Sequence, residues 1–355
     1  VVGETMISWY PPGGTWIIAA ASRLSGFGAV GGARILWVAG YILNACLLGR
    51  VLAMLPDRPA WMKEPWAGAA FAACILWWIA GCDPTLMSST DMLALPLNLA
   101  LLLGCLRLTA GDNSWWRWLG CGALAGTIYL VKYSQFIVAA SMLATTAVLV
   151  IGRERTLKRL VRPALAGVVM LSFVLALVLF QRHDRASVQL DQKSGLAQAG
   201  YIKGRYGDRF ASVSTPSFCL LGVAGGLGWN SLGYGRWTQL PWYLAGRESL
   251  NRAWDRLGWN RICSWCLLFG VALTPVAWRA LRTRLEPGND GAAWLLPGSG
   301  ILAVMLIAYL GYRTGYPYNM GLEGEGRFLL PLSVVAVAGL FMRGARRHPN
   351  ALLFL

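Results

Sequence analysis

Two histidines, His183 and His348, are all that a chain of 355 residues contains. That scarcity gives a histidine-based metal site or a serine triad little support. Acidic residues are also few, 16 against 32 Lys and Arg, and charged residues make up only 14% of the whole, too little to clothe two or three soluble domains of this length. A repeat of fixed period and a low-complexity tail are both missing, which excludes a solenoid or a disordered arm. The cysteines, Cys46, Cys74, Cys82, Cys105, Cys121, Cys219, Cys263 and Cys266, lie mostly inside apolar runs. Cys263 and Cys266 have CxxC spacing, but no second pair or nearby histidine completes a zinc set, so the cysteines read as structural.

Hydrophobic residues, at 56%, are what the chain has in excess. A hydrocarbon core about 30 Å thick asks for about 20 apolar residues per helical crossing. Runs of that kind recur at 32–53, 66–82, 88–107, 116–131, 133–151, 163–181, 263–278, 293–312 and 326–342. The fold class is therefore an all-α polytopic membrane protein, one membrane-embedded domain over 1–355. The net charge of +16 would suggest nucleic acid in a soluble protein, but the basic residues form no basic and aromatic face, and nucleic acid is not an expected partner. They alternate between connections instead. Arg50, Arg58 and Lys63, then Arg107 and Arg117, then Arg153 to Arg162, then Arg279 to Arg284, then Arg343 to Arg347 fall on one side under the positive-inside rule. The opposite connections hold few: none in 83–91 and Lys132 alone between two runs.

The long connection 182–262 is the exception in charge, and a loop of that length crosses largely regardless of it. Its tyrosines and tryptophans, Tyr201, Tyr206, Trp229, Trp237, Trp242 and Trp254 among them, suit a membrane–water boundary, where a ring is half wet. Within it, 217–234 is apolar but short and glycine-rich and reads as interfacial or re-entrant rather than as a crossing. The elaborate connections all lie on the non-cytoplasmic side, so function is expected there.

Near the start stands S-W-Y-P-P-G-G-T-W, Ser8 to Trp16. Consecutive prolines hold Tyr10 out of helix while residues 14–25 begin one, giving a stiff corner with exposed rings. The stretch Y-P-P-G-G-T-W-I-I-A-A-A-S-R-L-S-G-F-G-A-V-G-G-A-R-I-L-W-V-A-G resembles the segment after the first outer loop in membrane glycosyltransferases of the GT-C fold. The group is the one that uses dolichyl- or polyprenyl-phosphate sugars, mannosyl- and arabinosyltransferase-like. Three more pieces resemble that group in the same order: S-S-T-D-M-L-A-L-P-L-N-L-A-L-L-L at 88–103, A-L-A-G-T-I-Y-L-V-K-Y-S-Q-F-I-V at 123–138, and E-G-R-F-L-L-P-L-S-V-V-A-V-A-G-L at 325–340. The second of these looks like the group's break containing a lysine between two short helices. The resemblance implies a GT-C-like bundle, and the apolar runs allow it about nine or more crossings.

It also implies transfer of a sugar from a polyprenyl-phosphate carrier to a lipid, glycan or protein acceptor. The membrane is expected to be the bacterial plasma membrane, with the site facing outward. The transfer needs a carboxylate for the acceptor's proton and cations or a metal for the departing phosphate. No cofactor is required by the sequence, and a divalent metal is left open. Asp91, in the S-S-T-D context, is the matching acid; the physical alternative is an acid favoured in a first helical turn by the helix dipole. Asp83 precedes Pro84 and is equally a turn former. Lys132 stands alone in an apolar run, where it either anchors at the boundary or faces a phosphate. By resemblance Arg327 contacts the carrier phosphate, while Glu325 and Glu323 are also placed to pair with it; Arg313, Tyr316 and Tyr318 are neighbours. Tyr10 is the exposed ring of the corner. Glu4 is a second candidate catalytic acid, although it does not match the group's Asp-Glu-like motif in the first outer loop. The chain begins at Val1, and the expectation is a fragment lacking a first helix and its acid.

Two other classes compete. A transporter or flippase of lipid-linked saccharides would show internal symmetry, which is not evident. A surface-polysaccharide polymerase or ligase would rely on loop arginines such as Arg205 and Arg209.

Overall fold

The computed structural model describes residues 13–55, 59–82, 90–154, 160–188, 294–303, 306 and 330–347. Among the described residues the chain is helical, with no strand. The elements are α1 (Gly13–Ser25), α2 (Gly28–Met54), a 3-10 turn (Ala60–Lys63), α3 (Pro65–Cys82), α4 (Thr90–Thr109), α5 (Trp115–Val131), α6 (Tyr133–Glu154), α7 (Val161–Val188), α8 (Trp294–Ala303) and α9 (Leu330–Arg347). Within them Val30–Met54, Gln135–Arg153 and Val161–Phe180 are long and apolar enough to cross a membrane. Shorter apolar helices run Trp66–Trp77, Leu93–Thr109 and Trp294–Ala303.

The first six apolar runs thus become helices close to where hydropathy alone puts them. The helix expected to begin over 14–25 forms, and one boundary differs. Residues 14–25 form a separate helix, α1, because Gly26 and Gly28 take φ of 71° and 69°, a left-handed turn that glycine adopts without strain, and α2 folds back along α1. At the other end α7 continues to Val188, past Arg182, where the loop was expected to begin. A helix does not stop where hydrocarbon stops. Most of 182–262, the run 263–278 and the segment 217–234 lie outside the described residues.

Packing follows from small residues. In α5 the sequence G-A-L-A-G sets Gly122 and Gly126 one turn apart on one face. A side chain on Gly122 would strike the backbone of Ala166, and one on Gly126 would meet the Phe173 ring at 2.6 Å. Residues 122 to 126 therefore run alongside 166 to 173 in the same direction, so α5 and α7 are parallel, close neighbours of the kind small residues permit in membranes. Gly49 of α2 likewise lies against the backbone of Gly68 in α3, 2.7 Å from where its Cβ would be. The shared core carries Leu48 and Leu52 from α2, Ile75 from α3, Leu99 and Leu102 from α4 and Trp118 from α5. By contrast, α7 exposes Val161, Leu165, Val168, Leu171, Leu175 and Leu179, a stripe suited to lipid. Hydroxyls inside the apolar helices bond to the carbonyl one turn back, Thr127 to Ala123 at 2.8 Å, Ser141 to Ile137 at 2.7 Å and Thr146 to Met142 at 2.7 Å, so none of the three is left dry and unbonded.

Gly122→Val is expected to lower the stability of the detergent-solubilised chain by about 1–3 kcal/mol, since the atoms in the way belong to backbone and cannot turn aside. Gly120→Ala, with no atom within 4 Å of the new Cβ, is the matched control and should leave the thermal midpoint in place.

Candidate functional site

Helix α5 ends at Val131 and α6 begins at Tyr133; between them Lys132 is extended, with φ −153° and ψ 94°. Neither proline nor glycine explains the interruption. Its backbone is nonetheless provided for: the Lys132 N–H donates to the Ile128 carbonyl at 2.7 Å, and the Gln135 N–H donates to the Lys132 carbonyl at 3.1 Å. Tyr129 and Phe136 bracket the interruption with rings 5.0 Å apart, edge to face. Lys132 itself is half-buried.

Helices α1, α2 and α4 meet the α5–α6 interruption at this point. Gly13, the first residue of α1, lies so close to the end of α5 that its Cβ would be 2.6 Å from the Leu130 carbonyl oxygen. Gly13, the first glycine after the two prolines, is therefore needed for close approach. Val131 packs on Leu93 and Ala94 in the first turns of α4, with Ile18 of α1 and Leu36 of α2 around them. Trp16 of α1 meets Phe180 of α7 edge to face at 6.2 Å. The start of α1, the head of α4, the α5–α6 interruption and residue 180 of α7 thus share one end of the bundle.

The opposite end gathers arginines on the 110–114 connection. Arg117 pairs with the Asp112 carboxylate and donates to the Asp112 carbonyl at 3.4 Å. From α6, Arg153 donates to the Thr109 carbonyl at 3.2 Å, and from α7, Arg162 donates to the Asn113 carbonyl. The Trp118 indole N–H donates to Asn113 Oδ1 at 2.6 Å. These guanidinium groups satisfy carbonyls that the end of α4 and its turn leave open. The bundle is thus polarised, with Lys132 at one end and Arg117, Arg153 and Arg162 at the other.

Of the candidate residues, Asp91 lies in the first turn of α4, two residues ahead of Leu93 and so at the Lys132 end. Lys132 and Asp91 are therefore brought to one end by their helices. Glu4, Tyr10, Asp83, Glu325 and Arg327 lie outside the described residues, as do Arg313, Tyr316 and Tyr318. Among the described residues no cluster of three His, Cys, Asp or Glu could hold a metal ion.

One feature escaped sequence reasoning. Asn98 and Gln135, 1% and 0% exposed, are joined across α4 and α6: Asn98 Nδ2 donates to Gln135 Oε1 at 2.8 Å and also to the Ala94 carbonyl at 3.0 Å. Two uncharged amides inside the apolar runs that also carry Asp91 and Lys132 were the available signal.

Residues 10–180 match the family model of dolichyl-phosphate-mannose-protein mannosyltransferase. No curated protein and no solved structure matches the chain. The matched range holds Tyr10, Asp83, Asp91 and Lys132, together with every contact that builds the Lys132 end; Glu4, Glu325 and Arg327 fall outside it.

In a background without native cysteines, Lys132→Cys and Asp112→Cys should react with a membrane-impermeant maleimide from opposite faces of sealed vesicles. Labelling of both from one face would contradict the two-ended arrangement.

Proposed function

We propose that the chain is a glycosyltransferase that moves a sugar from a polyprenyl-phosphate carrier to an acceptor, and that the site is the end of the bundle where Lys132 and the head of α4 meet. The observation that carries this reading is the packing of Val131 on Leu93 and Ala94, which sets a lone lysine beside the turn that bears an aspartate within the range matched to the mannosyltransferase family. A charge at the middle of a membrane costs about 3 kcal/mol, which favours a boundary position for Lys132. With the arginine-rich end cytoplasmic under the positive-inside rule, that boundary is the outer one of a plasma membrane.

The chemistry assigns roles. The acceptor hydroxyl attacks the anomeric carbon; its oxygen–carbon bond forms as the bond from that carbon to the phosphate oxygen breaks, and the carrier departs as polyprenyl phosphate. Configuration at the anomeric carbon inverts. Asp91 takes the acceptor's proton or orients its hydroxyl, the Lys132 ammonium offsets charge on the departing phosphate, and Arg327 adds a planar guanidinium able to bond twice to it. In this reading Tyr10, Asp83 and Glu325 are assigned to substrate binding, as the resemblance implies. The donor sugar is a hexose or pentose, and the acceptor is a lipid, glycan or protein.

Transfer of labelled mannose from dolichyl-phosphate mannose, by the chain in proteoliposomes, tests the assignment. Asp91→Asn is expected to lower kcat by about 10²-fold or more, the scale of a lost proton acceptor. Lys132→Met should raise the donor KM by roughly tenfold or more, the loss of one charged hydrogen bond. Wild-type turnover and KM in both variants would overturn the proposal.

A further inference from the structure

We infer that Asn98 and Gln135 are positioning residues: their amide bond ties the head of α4 to the α5–α6 interruption and so fixes where Lys132 stands toward a carrier phosphate. The inference rests on the glycosyltransferase reading and names how that site is held.

Both side chains are buried among apolar neighbours, at 1% and 0% exposure, where leucine would pack without any polar group to satisfy. The pair is not even complete, for Asn98 Oδ1 accepts no hydrogen bond among the described residues. Packing alone therefore gives no reason for two amides here, whereas registry between helices does, the best-attested use of a buried polar pair. Their places fit that use. Gln135 sits in the first turn of α6, and its own N–H donates to the Lys132 carbonyl, so whatever holds Gln135 holds the backbone of Lys132. Asn98 lies two helical turns beyond Asp91 on α4, just after Pro96. Proline has no N–H for the Met92 carbonyl, so the first turn of α4 is less well braced than an ordinary one. The bond from Asn98 Nδ2 to the Ala94 carbonyl supports the backbone at that point, and the bond from the same nitrogen to Gln135 carries the support across to α6. One nitrogen thus connects the turn bearing the aspartate with the interruption bearing the lysine.

The test measures binding of dolichyl phosphate to the full chain in nanodiscs, with thermal midpoints alongside. Removing both amides in Asn98→Leu/Gln135→Leu breaks the tie between the two helices at both of its ends, so dolichyl phosphate should bind about tenfold more weakly, while the thermal midpoint reports any loss of assembly. Exchanging the amides in Asn98→Gln/Gln135→Asn should restore part of that loss. In a Lys132→Met background the double leucine change should add nothing, because the pair acts through the lysine. Unchanged binding by the double leucine variant, or an equal further loss without Lys132, would overturn this inference alone. If the double leucine variant does not assemble, Gln135→Asn in the two backgrounds gives the same two outcomes. Wild-type binding by Lys132→Met would overturn the phosphate site itself, and the inference with it.

Discussion

Backbone hydrogen bonding inside an apolar bundle is the constraint on which the rest depends. A chain crossing hydrocarbon has no water to satisfy a broken helix, so an interruption survives only where protein surrounds it. The α5–α6 interruption meets that condition from several sides at once: Gly13 against Leu130, Leu93 and Ala94 against Val131, and the bonds through Ile128 and Gln135. Lys132 stands where the run of helix is interrupted between α5 and α6, and so its place is decided by four helices rather than by local preference.

The two ends of the bundle solve different problems. At the arginine end, long cationic side chains reach back to carbonyls and close the 110–114 turn, which fixes the relation of α4, α5, α6 and α7 to one another. At the lysine end contact is made by small and apolar groups, Gly13, Ala94, Leu93 and Val131, and the buried Asn98–Gln135 bond joins α4 to α6. Arginines thus gather at one end and a lysine stands at an interrupted helix at the other, a division suited to a scaffold that presents side chains from irregular backbone.

Much of this was legible in the residues, because apolar runs bounded by charge translate directly into helices, and α2 to α6 follow their runs within a few residues. The alternation of basic connections likewise announced a polarised bundle, and the arginines at 117, 153 and 162 do collect at one end. What the chain concealed depends on register between helices. That Gly13 abuts Leu130, or that Asn98 faces Gln135, is set by packing of segments distant in sequence, and no local pattern marks it. The extension of α7 to Val188 was hidden for a simpler reason: hydropathy marks where lipid ends, whereas a polar sequence such as Q-R-H-D-R continues a helix into water. The late arginine and its glutamates, and the acids at 4 and 83, belong to parts of the chain outside the described residues, so the sequence remains their only witness.

The contact between α5 and α7 has a bearing on traffic through the bilayer. With Gly122 against the backbone of Ala166 and Gly126 against Phe173, these two parallel helices are packed too closely at those positions to admit an isoprenoid chain. Under the proposed function, a lipid-linked donor reaches the lysine along some other flank, so that the seam acts as a wall and the choice of doorway passes to the remaining helices.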